Sequence, residues 1–451
     1  MLDKNDPSQK VYYQAGIGTY TIPETVTPVM AGISKVVDMM FANHLDAHVM
    51  SGYEFLMENY EDGDKICLFG FSRGAYTARA LAGMIYKVGL ISRDNRQQVP
   101  FAYHMYSRKN KKSMEASKAF KDTFSLKGVN IEFIGVWDTV SSWGLIPRRL
   151  PFTRDNESIK YFRHALSLDE RRVRFKPSVW ERPSEKKETR FLGLKWGLGW
   201  SFLQPKDTQN NTDSNRSDHH DRCHAPERQR TTSVETSKEE PPNVEEVWFA
   251  GCHCDIGGGS VPNNTRHSLA RIPLRWMIRE CYKLDIGIRF HEEMFKVIGI
   301  NPDTLNPKTV HDKRPPIICH QPHRTCTDRY PNSEVQDPEK ITDPTKIYND
   351  FKNEELEDLA DVLSPVYDQL CKPWWWIPEV ILQSAYYQDD INSDDVKDYT
   401  FNWGRGRYVP RQSIAGVKVH RSVKIRLKAN FLKSGKYLPK AKLWVEPEWV
   451  D

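Results

Sequence analysis

The chain has 451 residues, 39% hydrophobic and 28% charged, with a formal net charge of +5. That balance belongs to a globular protein with polar insertions, long enough to bury a sizeable core, and so slight a charge gives no electrostatic case for nucleic acid. No apolar run reaches the roughly 18–20 residues that span a bilayer and residues 1–7 hold no signal core, so the expected compartment is the cytoplasm, where eight scattered cysteines would stay reduced.

In chain order, residues 10–19 read as a strand rich in aromatic and β-branched residues that ends in a Gly-rich turn. Apolar spacing of three and four predicts two helices, near 27–42 and 46–60, followed by a turn at 61–64. The apolar run 65–69 then leads into Gly70-Phe71-Ser72-Arg73-Gly74 and a helix-like stretch over 75–84. Strand, sharp turn and helix in that order are the signature of a nucleophile elbow, which pushes a serine hydroxyl out above the sheet. The bland alternative is a tight turn whose serine only caps the helix.

A polar helix is expected around 108–120, with the basic cluster at 108–112 on its solvated face. Residues 130–138 form a buried-strand pattern that stops at Asp138, and 244–251 a further strand that runs into Cys252-His253-Cys254-Asp255. An amphipathic helix follows over 269–282, and residues 416–425 look like another strand. Strands separated by helices imply an α/β fold, a mostly parallel sheet with helices on both faces, whose ligands gather at the carboxyl ends of the strands.

Residues 204–243 contain almost nothing apolar and are expected to be disordered, and a second polar, Pro-rich region runs over 302–353. The expected organisation is an α/β-hydrolase-like catalytic domain over 1–290 and a C-terminal extension over 291–451 that completes or covers it. Two His/Cys groups, His219, His220, Cys223 and His224 and then Cys319, His320, His323 and Cys326, lack convincing zinc spacing, so neither metal nor organic cofactor is expected. The indoles at 374–376 read first as helix-packing core and alternatively as a lipid-facing wedge, and residues 191–200 as a lid or lipid-contacting flap.

A serine hydroxyl needs an imidazole to take its proton and a carboxylate to fix the imidazole's tautomer, in the chain order Ser, acid, His for this fold. Two assignments obey that order. Asp138 with His253 is preferred because strand ends converge on one side of the sheet; Asp255 with His420 is the alternative. The amide of Arg73, which follows the nucleophile, is the expected oxyanion donor.

The segments YEDGDK at 60–65 and GFSRGAYTAR at 70–79 resemble the type-one phospholipase effectors of type VI secretion and their fungal and bacterial relatives. Further similar blocks are YYQAGIGT at 12–19, GVWDTV at 135–140, ALSLDER at 165–171, FAGCHCDIGGG at 249–259 and VHRSV at 419–423. The resemblance implies a serine hydrolase acting on lipid esters, with Ser72 as nucleophile, Asp138 as acid and His253 as base; a lipid or small ester is the expected substrate, and the Trp-rich segment leaves peripheral membrane contact as a further option. Members of that family begin with a strand ending in an Asp-Gly-Thr loop, which this sequence does not contain. The expectation is therefore an N-terminally shortened, weakly active form. The rival reading is a catalytically inactive hydrolase shell serving as an interaction module.

Overall fold

The computed structural model describes residues 1–16, 30–140, 150–181, 241–263, 265–305, 354–388, 395–429 and 435–451. The expected disordered insertion up to residue 240, the flap at 191–200, both His/Cys groups and residues 306–353 lie outside the described residues. Residues 1–182 and 241–451 form one compact unit.

The apolar run before Ser72 becomes β1 (Ile66–Phe71) and the small-residue stretch after it becomes α2 (Arg73–Val88), preceded by α1 (Met30–Asn59). Helices α3 (Val99–Ser107) and α4 (Lys111–Phe124) lead to β2 (Ile131–Trp137), β3 (Ile159–Ser167) and β4 (Asn243–Phe249). After β4 come α5 (His253–Gly257), α6 (Arg271–Lys283) and α7 (Glu354–Val362). A hairpin of β5 (Gln383–Gln388) and β6 (Asp395–Thr400) is followed by β7 (Lys418–His420), α8 (Arg421–Lys428) and β8 (Glu448–Val450).

The main sheet has the order β1-β2-β3-β4-β7-β8, and every pairing in it is parallel. Alternation along the strands feeds two cores. Ile134, Val136 and Phe162 pack with Tyr53 of α1 and Met84 of α2, whereas Phe133, Ala165 and Phe249 pack with Trp276 and Met277 of α6. Helices therefore cover both faces, as a sheet that is apolar on both sides requires. Among the described residues β1 pairs only with β2 and stands at the sheet's edge.

Local expectations fail where tertiary context overrides pattern. No helix breaker separates Ala42 from Asp46, and the two expected helices are one, Met30–Asn59. The described part of the expected strand at 10–19 has no regular structure; among the described residues no strand pairs with it, and Tyr12 stacks instead on Phe55 of α1, with ring centroids 4.9 Å apart. The stretch 416–425 is strand only over Lys418–His420, because His420 caps a helix there by accepting from the Ser422 amide. The indoles of Trp374 and Trp376 are exposed rather than core. A strand that periodicity alone did not single out, β3, sits between β2 and β4, so His253 does not follow the strand next after that of Asp138.

Candidate active site

Register sets the site. Phe71 is level with Trp137, and Trp137 with Ala165, so Ser72 and Asp138 emerge side by side at the carboxyl ends of β1 and β2. Ser167 is level with Phe249, and four residues beyond Phe249 His253 opens α5.

Ser72 has φ 59° and ψ −122°, outside the regions a non-glycine residue normally occupies. A conformation of this kind costs about 1–3 kcal/mol and persists only where its surroundings impose it. Here the Ser72 amide donates to Trp137 O at 2.9 Å, extending the β1–β2 ladder, while α2 begins at the next residue. Gly70 makes the bend possible: a Cβ there would lie 2.6 Å from the backbone of Ala75, so only hydrogen fits. A Cβ on Gly74 would meet nothing within 4 Å, and the second motif glycine is not demanded by strand-helix packing. Arg73 opens α2, which puts its amide at the positive end of the helix, one peptide from the serine.

The hydroxyl, an imidazole and a carboxylate form a hydrogen-bonded chain. His253 Nε2 lies 2.7 Å from Ser72 Oγ, and His253 Nδ1 lies 2.5 Å from Asp138 Oδ2. The imidazole is 3% exposed and packed by Phe71 and Phe175, with ring centroids 4.6 and 4.9 Å away. Burial pushes its pKa below the ordinary histidine value, although the hydrogen bond and charge of Asp138 oppose that. With Asp138 ionised, Nδ1 carries the proton and Nε2 is left to accept one from the serine.

Asp138 is fully buried, with φ 42°. Burial by itself would raise its carboxyl pKa, but the Arg407 guanidinium and the His253 hydrogen bond outweigh it and hold the group well below the usual carboxylate range. The Ser167 amide donates to Oδ1 at 3.0 Å, and Arg407 donates to both oxygens, at 2.5 and 2.8 Å. The residue after Asp138 is fixed by a second buried pair: the Thr139 amide donates to His164 Nε2 at 3.1 Å, while His164 Nδ1 faces Glu246 Oε1 at 2.8 Å. Glu170 accepts the His253 amide at 3.2 Å and grips Arg172, whose guanidinium lies over the rings of Phe175 and Trp375.

The alternative pair is engaged elsewhere. The Asp255 carboxylate accepts from the Cys252 and Tyr367 amides, both at 2.9 Å, and closes the first turn of α5. His420 Nδ1 lies 2.8 Å from Ser422 Oγ, and its ring stacks on Phe249 at 4.8 Å. Sequence reasoning missed Arg407, Glu170 and the His164–Glu246 pair. A signal for the last existed: Arg163-His164 and Glu245-Glu246 are charged or polar dipeptides in the middle of their strands, and they lie in register.

A family model described as T6SS, Phospholipase effector Tle1-like, catalytic domain matches residues 1–280. The chain belongs to this family. The Tle1-like match contains Ser72, Asp138, Glu170 and His253, whereas Arg407, β7 and β8 lie beyond it. The chain is also 27% identical over 533 aligned positions to uncharacterized protein YEL023C of Saccharomyces cerevisiae, covering 95% of this chain and 75% of the relative. Among solved structures it matches an uncharacterized protein from Pseudomonas aeruginosa at 17% identity and a TM-score of 0.23, over 62% of this chain and 32% of the other, so it spans about a third of that chain's length. Among the described residues of this Tle1-like protein, no helix is long and apolar enough to cross a membrane, and no cluster of His, Cys, Asp and Glu could hold a metal ion.

Proposed function

We propose that the protein is a serine hydrolase that cleaves carboxylic esters of lipids through an acyl-enzyme. The observation that carries this reading is the 2.7 Å contact between Ser72 Oγ, on its strained turn, and His253 Nε2. In the first step Ser72 Oγ attacks the ester carbonyl while His253 Nε2 takes the hydroxyl proton. The resulting imidazolium is stabilised by Asp138 through Nδ1, and the Arg73 amide donates to the oxyanion. Collapse of the tetrahedral species breaks the ester C–O bond, and His253 returns its proton to the leaving alcohol. Water then attacks the acyl-serine with His253 as base, releasing the carboxylic acid and restoring the hydroxyl.

Membership of a phospholipase effector family supports a lipid as the ester. So does the segment following Lys372, whose exposed side chains are apolar. Trp374, Ile377, Ile381 and Leu382 are 48–55% exposed, while Glu379, the carboxylate among them, is 1% exposed and accepts from the Val173 and Gly404 amides. Such an inside-out segment suits contact with a lipid surface, where indoles settle at the headgroup level. It adjoins the site through Trp375, 5.8 Å from Phe175, itself 4.9 Å from His253.

A fluorophosphonate probe tests the chemistry: it labels the wild-type protein at Ser72, and Ser72→Ala abolishes labelling while the circular dichroism spectrum is unchanged. Labelling that survives in Ser72→Ala rejects the assignment.

A further inference from the structure

Arg407 is 7% exposed, and a buried guanidinium is costly unless its donors are all used. They are. Nη1 donates to Asp138 Oδ1 at 2.5 Å and to Ser167 O at 3.2 Å; Nη2 donates to Asp138 Oδ2 at 2.8 Å and to Phe175 O at 2.5 Å; Nε donates to Phe175 O at 3.1 Å. The pairing with Asp138 is a two-pronged fork, the arrangement that fixes the plane of a carboxylate as well as its position. Without it, Asp138 would keep, among the described residues, the Ser167 amide and the imidazole as partners and could turn about its last bond.

We propose that Arg407 is a positioning residue for the Ser72–His253–Asp138 chain, aiming one carboxylate oxygen at His253 Nδ1, and that docking of the C-terminal segment thereby completes a site the first 280 residues do not contain in full. The inference rests on the serine-hydrolase reading above. The segment bearing Arg407 is tied down beside the site: Asn402 Nδ2 donates to Arg171 O at 2.7 Å and to Glu379 Oε2 at 2.5 Å, and the Gly404 amide donates to the same oxygen at 3.1 Å. Glu379 also accepts the Val173 amide at 2.7 Å, so one buried carboxylate joins the strand-end segment after β3 to the loop that carries the guanidinium.

The guanidinium has two opposed effects on His253. Its geometry orients the acid and favours proton transfer, while its charge disfavours the imidazolium. Around His253 stand Ser72 from the elbow, Asp138 from the end of β2, Glu170 and Arg172 from the segment after β3, and Arg407, while Cys252, Cys254 and Asp255 are its titratable neighbours along the chain. Of the two cations in that group, Arg407 alone bonds the acid.

The test uses the whole 451-residue chain, with hydrolysis of a short-chain nitrophenyl ester measured across pH for wild type, Arg407→Gln, Arg407→Lys, Asp138→Asn and the double variant Asp138→Asn/Arg407→Gln. Arg407→Gln is expected to lower kcat about a hundredfold with KM little changed, the scale of a small misplacement of a reacting group. Its acid limb moves to higher pH, since a positive charge near the imidazole is gone. Arg407→Lys keeps the charge without the fork; its acid limb stays near that of wild type while kcat falls about tenfold. In the Asp138→Asn background, Arg407→Gln changes the rate less than about threefold, because the residue it acts through is no longer a carboxylate.

The proposal is overturned if Arg407→Gln leaves kcat and the acid limb unchanged, or lowers the rate by the same factor in both backgrounds, as a purely structural role would. Should Arg407→Gln fail to fold, Arg407→Lys decides, and wild-type kcat in that variant overturns the proposal. Persistence of activity in Ser72→Ala would instead mark failure of the serine-hydrolase reading itself.

Discussion

The two glycines of Gly70-Phe71-Ser72-Arg73-Gly74 look equivalent as letters, and the structure makes them unequal. A Cβ on Gly70 would sit 2.6 Å from Ala75 N, Ala75 Cα and Gly74 O, all backbone atoms that cannot swing aside. Gly70→Ala must therefore push the start of α2 away from β1, an overpacking that costs about 1–3 kcal/mol. The same shift displaces Ser72 relative to His253, and a misplacement near 1 Å costs about a hundredfold in rate. Gly74 lies inside α2, and a Cβ there meets nothing within 4 Å. Gly74→Ala should stabilise the protein by about 0.5–1 kcal/mol through helix propensity and reduced freedom of the unfolded chain. Urea denaturation reads the stabilities and fluorophosphonate labelling rate reads the serine. The expected pattern is a lower midpoint with slow labelling for Gly70→Ala, and a raised midpoint with labelling retained for Gly74→Ala. A Gly70→Ala protein as stable and as rapidly labelled as wild type would refute the reasoning, as would a destabilised Gly74→Ala.

Three further outcomes are expected. In the proposed mechanism the neutral imidazole of His253 is the base, and burial lowers its pKa, so kcat/KM should stay flat as pH falls past the ordinary histidine value of about 6.5 and decline only below it; an acid limb above that value contradicts the burial argument. Asp138 has a depressed folded-state pKa, so the stability it contributes is complete above its unfolded value of about 3.9 and is lost only as pH falls towards the folded one. Asp138→Asn leaves the Arg407 charge buried without its partner and should lower stability at pH 7 by about 3–5 kcal/mol, measured by urea denaturation. The combined change Trp374→Ser and Ile377→Ser removes exposed apolar area and should abolish co-sedimentation with phosphatidylcholine vesicles while leaving hydrolysis of a soluble ester intact; unchanged co-sedimentation would remove the lipid-contact role from this segment.

Some of this architecture was legible in the letters because its causes are local. The run before Ser72 is apolar and bounded by a turn, the residues after it are small helix formers, and the strand that runs up to Asp138 is apolar apart from Glu132. Those patterns follow from burial and backbone sterics within ten or so residues, which is the range over which sequence speaks directly. The same locality explains the errors. Aromatic, β-branched letters at 10–16 meant a strand only if a partner strand stood beside them, and α1 offers Tyr12 a ring to stack on instead. Val417, Val419 and Val423 suit either period, and the cap at His420 turned the latter part into helix.

By itself, then, the sequence determined where the elbow bends, which residues could act as acid and base, and that the strands would lie in parallel order with helices between them. Which imidazole faces the serine, and what holds the carboxylate behind it, depended on contacts between residues far apart in the chain. Ser72 and His253 are 181 positions apart, and Asp138 and Arg407 are 269 apart. Meetings at such separations are created by sheet order and register, which bring β1, β2 and β4 to a common edge and lay the C-terminal loop across it, and no local pattern of side chains encodes them.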